Sequence, residues 1–292
     1  MPVLDRVVLR AGQAAARLLK HHPGKRCTLR VDRDGEPVAL KLYANDPSPL
    51  ADLLRRFELS GLATGRGATV PPLLGFDRAL RFIVTGWLHG PSGSELISSG
   101  AGERTAGLAL DWLQAAGRVS IELGERYGPA EILAVSGQRV RDIATVDATL
   151  GSLASLQYER LGADPPADAP TNVRHASFKP DSMIDTGGPG LIDWDGFRQG
   201  ALEFEAAGFL SALSRMSEGS RVSVEKASKL RSTKRAFWEG IAGRVDERAL
   251  GWYLVADLVK FAERVVRRQR HGWQRRAHAY LLEAETLLEQ RL

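Results

Sequence analysis

The sequence predicts an α+β fold in two parts: a small antiparallel sheet with one helix over residues 1–90, and a larger, mainly helical part over 91–292. Three observations carry this prediction. Two β-rich runs, RCTLRVD and PVALKLY, flank Asp34-Gly35, a pair suited to the positive φ angles of a tight hairpin turn. A stretch beginning at Ser48, with Leu50, Leu53, Leu54 and Phe57 at helical spacing and a stop at Gly61, follows the hairpin. Beyond residue 90 the apolar spacing is helical over 104–122, 141–161, 201–216, 222–242 and 246–290, with strand-like runs only between 173 and 196.

Taken in order, the first twenty residues have helical apolar spacing, although 18–22 fit a strand equally well. After the hairpin and its helix, VPPLLGFDRALRFIVTGWLHG supplies two more short strands and a Gly-Pro exit near residue 90. In the second part, GADPPADAP over 162–170 is a loop. SMID and GLID are strands separated by the turn residues 186–190, and Gly272 breaks the last helix.

At 292 residues and 43% hydrophobic content the chain can bury a sizeable core. No apolar run approaches the ~20 residues that span a bilayer, and charges recur through the N-terminal stretch, so a cytoplasmic protein without a membrane partner is expected. The single cysteine, Cys27, excludes internal disulfides and reads as a small buried apolar residue. The net charge of +5 is mild, and its excess lies in RVVRRQRHGWQRR, residues 264–276. Leu258, Phe261, Val265 and Val266 form an apolar stripe that makes these arginines a helix's wet face, an argument against a nucleic-acid partner.

Four segments carry residues suited to chemistry. Lys41, in VALKLY, lies on the second hairpin strand; a cation there can reach a nucleotide's phosphates if a carboxylate on the next helix steadies it. Glu58, seventeen residues on, occupies that helix. Alone, the two are an exposed strand lysine and a surface glutamate. In GLIDWDGF, Asp193 and Asp195 stand at i and i+2, on one side of an extended segment, and hard oxygen ligands of this kind suit Mg²⁺ beside phosphates; the same pattern is also common in plain turns. HASFKPDSM, residues 175–183, joins a histidine to a Lys-Pro turn without a carboxylate in its first half.

The order and spacing of these segments resemble the aminoglycoside phosphotransferase and choline kinase-like family, relatives of the protein kinases. HHPGKR, VALKLY, FELSGLA, VPPLLGF, IVTGWLHG, HASFKPDSM and LIDWDGF fall in the family's order over most of the chain. The resemblance implies a protein-kinase-like two-lobe fold, a nucleotide-binding first lobe, and ATP and Mg²⁺ as cofactors. It implies that Lys41 contacts the α- and β-phosphates, that Glu58 pairs with Lys41, and that Asp193 binds Mg²⁺ with Asp195 close by. HHPGKR would lie over the nucleotide, IVTGWLH would carry the adenine pocket, and His175 would be structural.

The family's loop reads His-Gly-Asp, with a metal-binding asparagine five residues after the aspartate; here those positions are Ser177 and Ser182, and neither hydroxyl is a carboxylate base or a strong Mg²⁺ ligand. Glu205, in GALEFE, stands where the family has a structural aspartate. Two expectations follow. One is a pseudokinase-like protein that binds a small molecule, a peptide or a partner protein, with ATP and Mg²⁺ binding weakened or lost. The other is an active small-molecule or peptide kinase whose base has moved to Asp181 or Asp195. A nucleic-acid-binding or structural role for the 264–276 arginines ranks behind both. Residues 88–105 and 217–235 are expected on the acceptor side.

Overall fold

In the computed structural model, which describes residues 16–33, 35–63, 67–168, 172–218 and 222–289, the chain divides into two units. One is Met1–Pro91 with Ile184–Asp195, the other Ser92–Met183 with Gly196–Leu292. The segment 184–195, which the sequence pattern places with the second part, thus groups with the first. Its anchors are backbone hydrogen bonds: Thr69 N–H to Pro189 O, Leu191 N–H to Thr69 O and Asp185 N–H to Pro91 O, each 2.9 Å. The approach is close enough that Gly90, at φ 139°, has no room for a Cβ, which would meet the Asp185 carbonyl oxygen at 1.9 Å.

The first unit contains strands β1 (Ala16–His22), β2 (Arg26–Arg33) and β3 (Glu36–Tyr43), helix α1 (Ser48–Leu59), and strands β4 (Leu73–Asp77) and β5 (Phe82–Gly86). They form an antiparallel sheet in the order β1-β2-β3-β5-β4. Residues 18–22 take the strand alternative; most of the expected N-terminal helix, and the turn residue Asp34, lie outside the described residues. The β2–β3 register runs from Arg33 opposite Glu36 to Arg26 opposite Tyr43, as a two-residue turn requires, and Gly35 has φ 88°. Alternation sends Val38 and Leu40 into a core with Val31, Phe82 and Val84. Lys41 and Tyr43 therefore leave from the opposite face. Cys27 on β2 is half-buried, more open than its sequence reading.

The second unit begins with α2 (Gly93–Ser99), α3 (Gly102–Gly117), α4 (Pro129–Val146) and α5 (Ala148–Ala163). Strand β6 (Asn172–Arg174) follows, and a 3₁₀ turn at Pro180–Ser182 leads to the short strands β7 (Met183–Asp185) and β8 (Pro189–Leu191), which pair with each other and, from Ile184 on, group with the first unit. Beyond a 3₁₀ turn at Trp194–Gly196, strand β9 (Arg198–Gly200) pairs with β6, and α6 (Leu202–Ser217), α7 (Val224–Ile241), α8 (Glu247–Arg268) and α9 (Trp273–Glu289) complete the chain.

The helix expected over 141–161 is two helices, because Asp147 interrupts it and caps α5 by accepting from Leu150 N–H at 3.0 Å. Helix α2 and residues 129–140 of α4 lie outside the predicted helical ranges, although both helices carry start signals: a Ser92/Glu95 capping box and Pro129 in the first turn of α4. The break between α8 and α9 falls near Gly272, where Gln269 and Gly272 have φ 43° and 69°. Helix α8 is the centre of this unit, with Leu250, Leu254, Leu258 and Val259 all buried. Among the described residues no helix is long and apolar enough to cross a membrane.

Candidate functional site

The hairpin register builds the first half of the site. Residues opposite each other on antiparallel strands share a face, so Arg26 stands beside Tyr43, and Lys41 lies two residues along on the same side. This face meets the Asp193–Asp195 turn. Trp194 anchors the turn: its indole is 4% exposed, stacks edge-on against Phe57 of α1 at 4.6 Å, and donates Nε1–H to Leu191 O at 2.9 Å. With Trp194 held inward, the flanking carboxylates turn to the sheet. Asp193 has φ 71°, a left-handed conformation that aspartate tolerates better than most residues. The segment is thus a turn and not the extended strand end that the i, i+2 pattern suggested.

Lys41 Nζ lies 2.5 Å from Asp195 Oδ2 and 3.4 Å from Asp193 Oδ1. Arg26 forks across both carboxylates, at 2.9 Å to Asp193 Oδ1 and 3.0 Å to Asp195 Oδ2. The Tyr43 hydroxyl donates to Asp195 Oδ1 at 2.7 Å. Burial, and then the Asp195 carboxylate, push the Tyr43 phenol well above its ordinary pKa, which keeps it a donor. Two cations thus face two carboxylates in a partly buried cluster.

The expected partner of Lys41 is absent from this cluster. Glu58 is exposed and accepts from Leu73 N–H of β4 at 2.9 Å. The reason lies in helix geometry: Leu50, Leu53, Leu54 and Phe57 form the buried face of α1, and position 58 lies about 100° beyond Phe57. Arg26 and Tyr43, which lie in HHPGKR and VALKLY, are the members of the cluster that sequence reasoning did not single out; counting outward from the Asp34-Gly35 turn places both beside Lys41.

The loop 175–182 belongs to the second unit and is fixed from two sides. Glu205 of α6, 1% exposed, accepts the backbone N–H of His175 at 3.2 Å and of Ala176 at 3.3 Å. Burial holds its carboxyl above the usual range against the pull of Arg174 and these two amides. The longer carboxylate therefore does the structural work of a loop tether. Phe178 is the second anchor, 1% exposed and 5.1 Å from Phe209. Ala176 has φ 55°, a conformation natural to glycine and strained for alanine.

With Phe178 inward, Ser177 is exposed and the Lys179 ammonium reaches back over the loop, 2.7 Å from Ser182 Oγ and 3.5 Å from Ser177 Oγ. Asp181 is exposed on the 3₁₀ turn and accepts from the Ser94 hydroxyl.

These donor sets do not fit Mg²⁺ as arranged. Asp193 Oδ1 and both oxygens of Asp195 already accept from Arg26, Lys41 or Tyr43, and Ser182 Oγ accepts from an ammonium. A divalent ion would need those oxygens and would be repelled by the same cations. No group of three or more His, Cys, Asp or Glu side chains is arranged for a metal among the described residues. What Arg26 and Lys41 can do is hold phosphate oxygens, for which a guanidinium fork and an ammonium are suited.

No family model and no curated protein matches the sequence. Solved structures nevertheless share its fold. A thermostable mutant of aminoglycoside phosphotransferase APH(4)-Ia, in a ternary complex with AMP-PNP and hygromycin B, aligns with a TM-score of 0.67 at 14% identity, covering 96% of this chain and 95% of that one. A mutant aminoglycoside 2'-phosphotransferase-IIIa in its GDP complex gives 0.63 at 13% identity, covering 95% and 93%. A choline/ethanolamine kinase family protein from Mesorhizobium loti gives 0.57 at 14% identity, covering 96% and 89%. The chain has the kinase-like fold of the aminoglycoside phosphotransferases, as the order of its motifs implied.

Proposed function

We propose that the protein is a pseudokinase-like member of this fold, acting by binding a small molecule, a peptide or a partner protein rather than by transferring phosphoryl groups. The observation that carries the reading is the Lys179 ammonium beside Ser182 and Ser177, the positions where the resemblance expects a metal ligand and a proton acceptor. Phosphoryl transfer needs positioning, charge neutralisation and an acceptor for the hydroxyl proton. A serine next to an ammonium is a poor proton acceptor, because the cation disfavours any further positive charge on it.

Arg26 and Lys41 remain suited to nucleotide phosphates. A nucleotide would have to displace Asp193 and Asp195 from them, so ATP binds weakly and without needing Mg²⁺. The structural relatives include nucleotide complexes, with AMP-PNP in one case and GDP in another, which supports a nucleotide-compatible first unit.

Asp181 favours the second reading, an active kinase with a relocated base. It is exposed and lies two residues from Lys179. Asp195 is the weaker candidate, since both its oxygens are engaged. Calorimetric titration of ATP with and without Mg²⁺, followed by product analysis, tests the proposal. The expected result is an affinity that Mg²⁺ leaves nearly unchanged and no detectable transfer or hydrolysis. Mg²⁺-dependent turnover at an ordinary enzymatic rate of ~1 s⁻¹ or faster, lost in Asp181→Asn with ATP affinity intact, would overturn it in favour of the second reading.

A further inference from the structure

The second unit holds a cavity of about 530 Å³, and the loop 176–179 forms one of its walls. Its other walls come from α6, α8, α9 and the α8–α9 connection, and their charge is one-sided. Arg215 comes from α6, Lys260, Arg264 and Arg268 from α8, Arg270 from the connection and Arg276 from α9. With Lys179 this makes seven cations against a single carboxylate, Asp257. That carboxylate is already engaged, by Lys260 and by the Ser211 hydroxyl at 2.9 Å. The five arginines form no ion pair among the described residues.

Such a concentration of like charge is costly unless something neutralises it. The arginines of 264–276 are exposed, as their amphipathic pattern predicts, except for the half-buried Arg276, yet Arg264, Arg268, Arg270 and Arg276 line a concave wall. Their heads are also partly fixed in place. Arg215, Lys260 and Arg264 lie 5.7, 5.2 and 5.8 Å from the ring centre of Phe261, within cation–π range. The Nε of Arg276 is buried with no hydrogen-bond partner. Tyr280 also lines the cavity. Burial pushes its phenol up to about 12, so its hydroxyl stays a donor. Apart from the engaged Asp257, every charged group that lines the cavity is a donor, which selects for a ligand made of acceptors.

We infer that this cavity binds a small organic polyanion carrying two or more phosphate groups, gripped by guanidinium forks and reaching the Ser177 edge of the loop. The size is that of a small-molecule site rather than of a groove for a polymer. Guanidinium geometry favours phosphate, whose oxygens it meets in pairs. A cationic amino sugar would be repelled. The inference adds a ligand class to the function proposed above and rests on it only in treating this cavity as a binding site.

The test titrates the full-length protein, without nucleotide, with inorganic tripolyphosphate at low and high salt. Binding is expected, and it should weaken as salt screens the cations. Arg264→Gln with Arg268→Gln should weaken it by roughly tenfold or more per guanidinium lost. Arg270→Gln, on an exposed residue outside any helix, keeps the test valid if the double variant fails to fold, and should weaken binding roughly tenfold. Absence of binding at low salt would overturn the inference. So would binding that survives these variants and disappears in Lys41→Ala, because the anion would then occupy the first unit. Tight binding of a short DNA duplex that tripolyphosphate does not compete away would overturn it as well. The readout involves neither ATP nor turnover, so its failure leaves the phosphoryl-transfer question to the ATP titration.

Discussion

The two charged clusters of this molecule solve opposite problems. In the first unit, Asp193 and Asp195 are matched by Arg26 and Lys41, with side-chain exposures between 9% and 25%, and every charge has a partner inside the protein. In the second unit, seven cations surround a cavity whose one carboxylate is already engaged. A matched cluster holds structure and must be opened before it can bind anything. An unmatched cluster costs stability until a counter-charge arrives. The carboxylates of the first cluster are thus satisfied within the protein, and the unmatched cluster lies beside the 176–179 loop.

The largest effect that would sharpen this contrast comes from breaking the matched cluster. Asp195→Ala leaves Lys41 and Arg26 with one carboxylate between them and removes the acceptor of Tyr43. Removing one partner from a largely buried ion pair costs ~3 kcal/mol. Urea unfolding at neutral pH reads this directly, and a loss below ~1 kcal/mol would mean that the cations are not held by the turn.

Much of this arrangement is legible in the sequence, for identifiable reasons. Strand alternation and the Asp-Gly turn place Lys41, and the Asp-Trp-Asp run places its partners, since the periods are short and the turn chemistry specific. Glu58 departs from the motif spacing because helical phase puts it outside the face marked by Leu53, Leu54 and Phe57. The first part of α4, residues 129–140, is not legible because its apolar spacing is diffuse while its start signal, Pro129 with Glu131, is local. The cation cavity is the least legible feature. Residues from 176 to 280 converge on it from the 176–179 loop, three helices and the α8–α9 connection, and no one-dimensional pattern distinguishes a convex wet face from a concave one.

A smaller effect compares the two strained turns. Asp193 at φ 71° and Ala176 at φ 55° both sit in the left-handed region, which costs an alanine ~1–2 kcal/mol and an aspartate less. Ala176→Gly relieves that strain but adds freedom to the unfolded chain. The net gain should be ~0.5–1 kcal/mol, seen as a higher urea midpoint with an unchanged slope. A loss of stability would show that the loop, tethered by Glu205, has relaxed around alanine.

The smallest effect carries the most information because its sign should reverse. Arg270 is exposed, lies outside any helix and forms no ion pair among the described residues, so Arg270→Gln removes little packing. A surface change of this kind ordinarily falls within about ±0.5 kcal/mol. Here relief of repulsion from the neighbouring guanidiniums should make it stabilising by a few tenths of a kcal/mol at low salt, fading as ions screen the cavity at ~0.1 M and above. A saturating anion inverts the order. At a tripolyphosphate concentration 100 times the wild-type Kd, ligand linkage adds about 2.7 kcal/mol to the wild type, but about 1.4 kcal/mol to a variant that binds tenfold more weakly. Wild type should therefore melt below Arg270→Gln without the anion and above it with the anion. If the variant is already the less stable protein at low salt without ligand, Arg270 has a stabilising role in the free protein, and the contrast between matched and unmatched clusters fails at that residue.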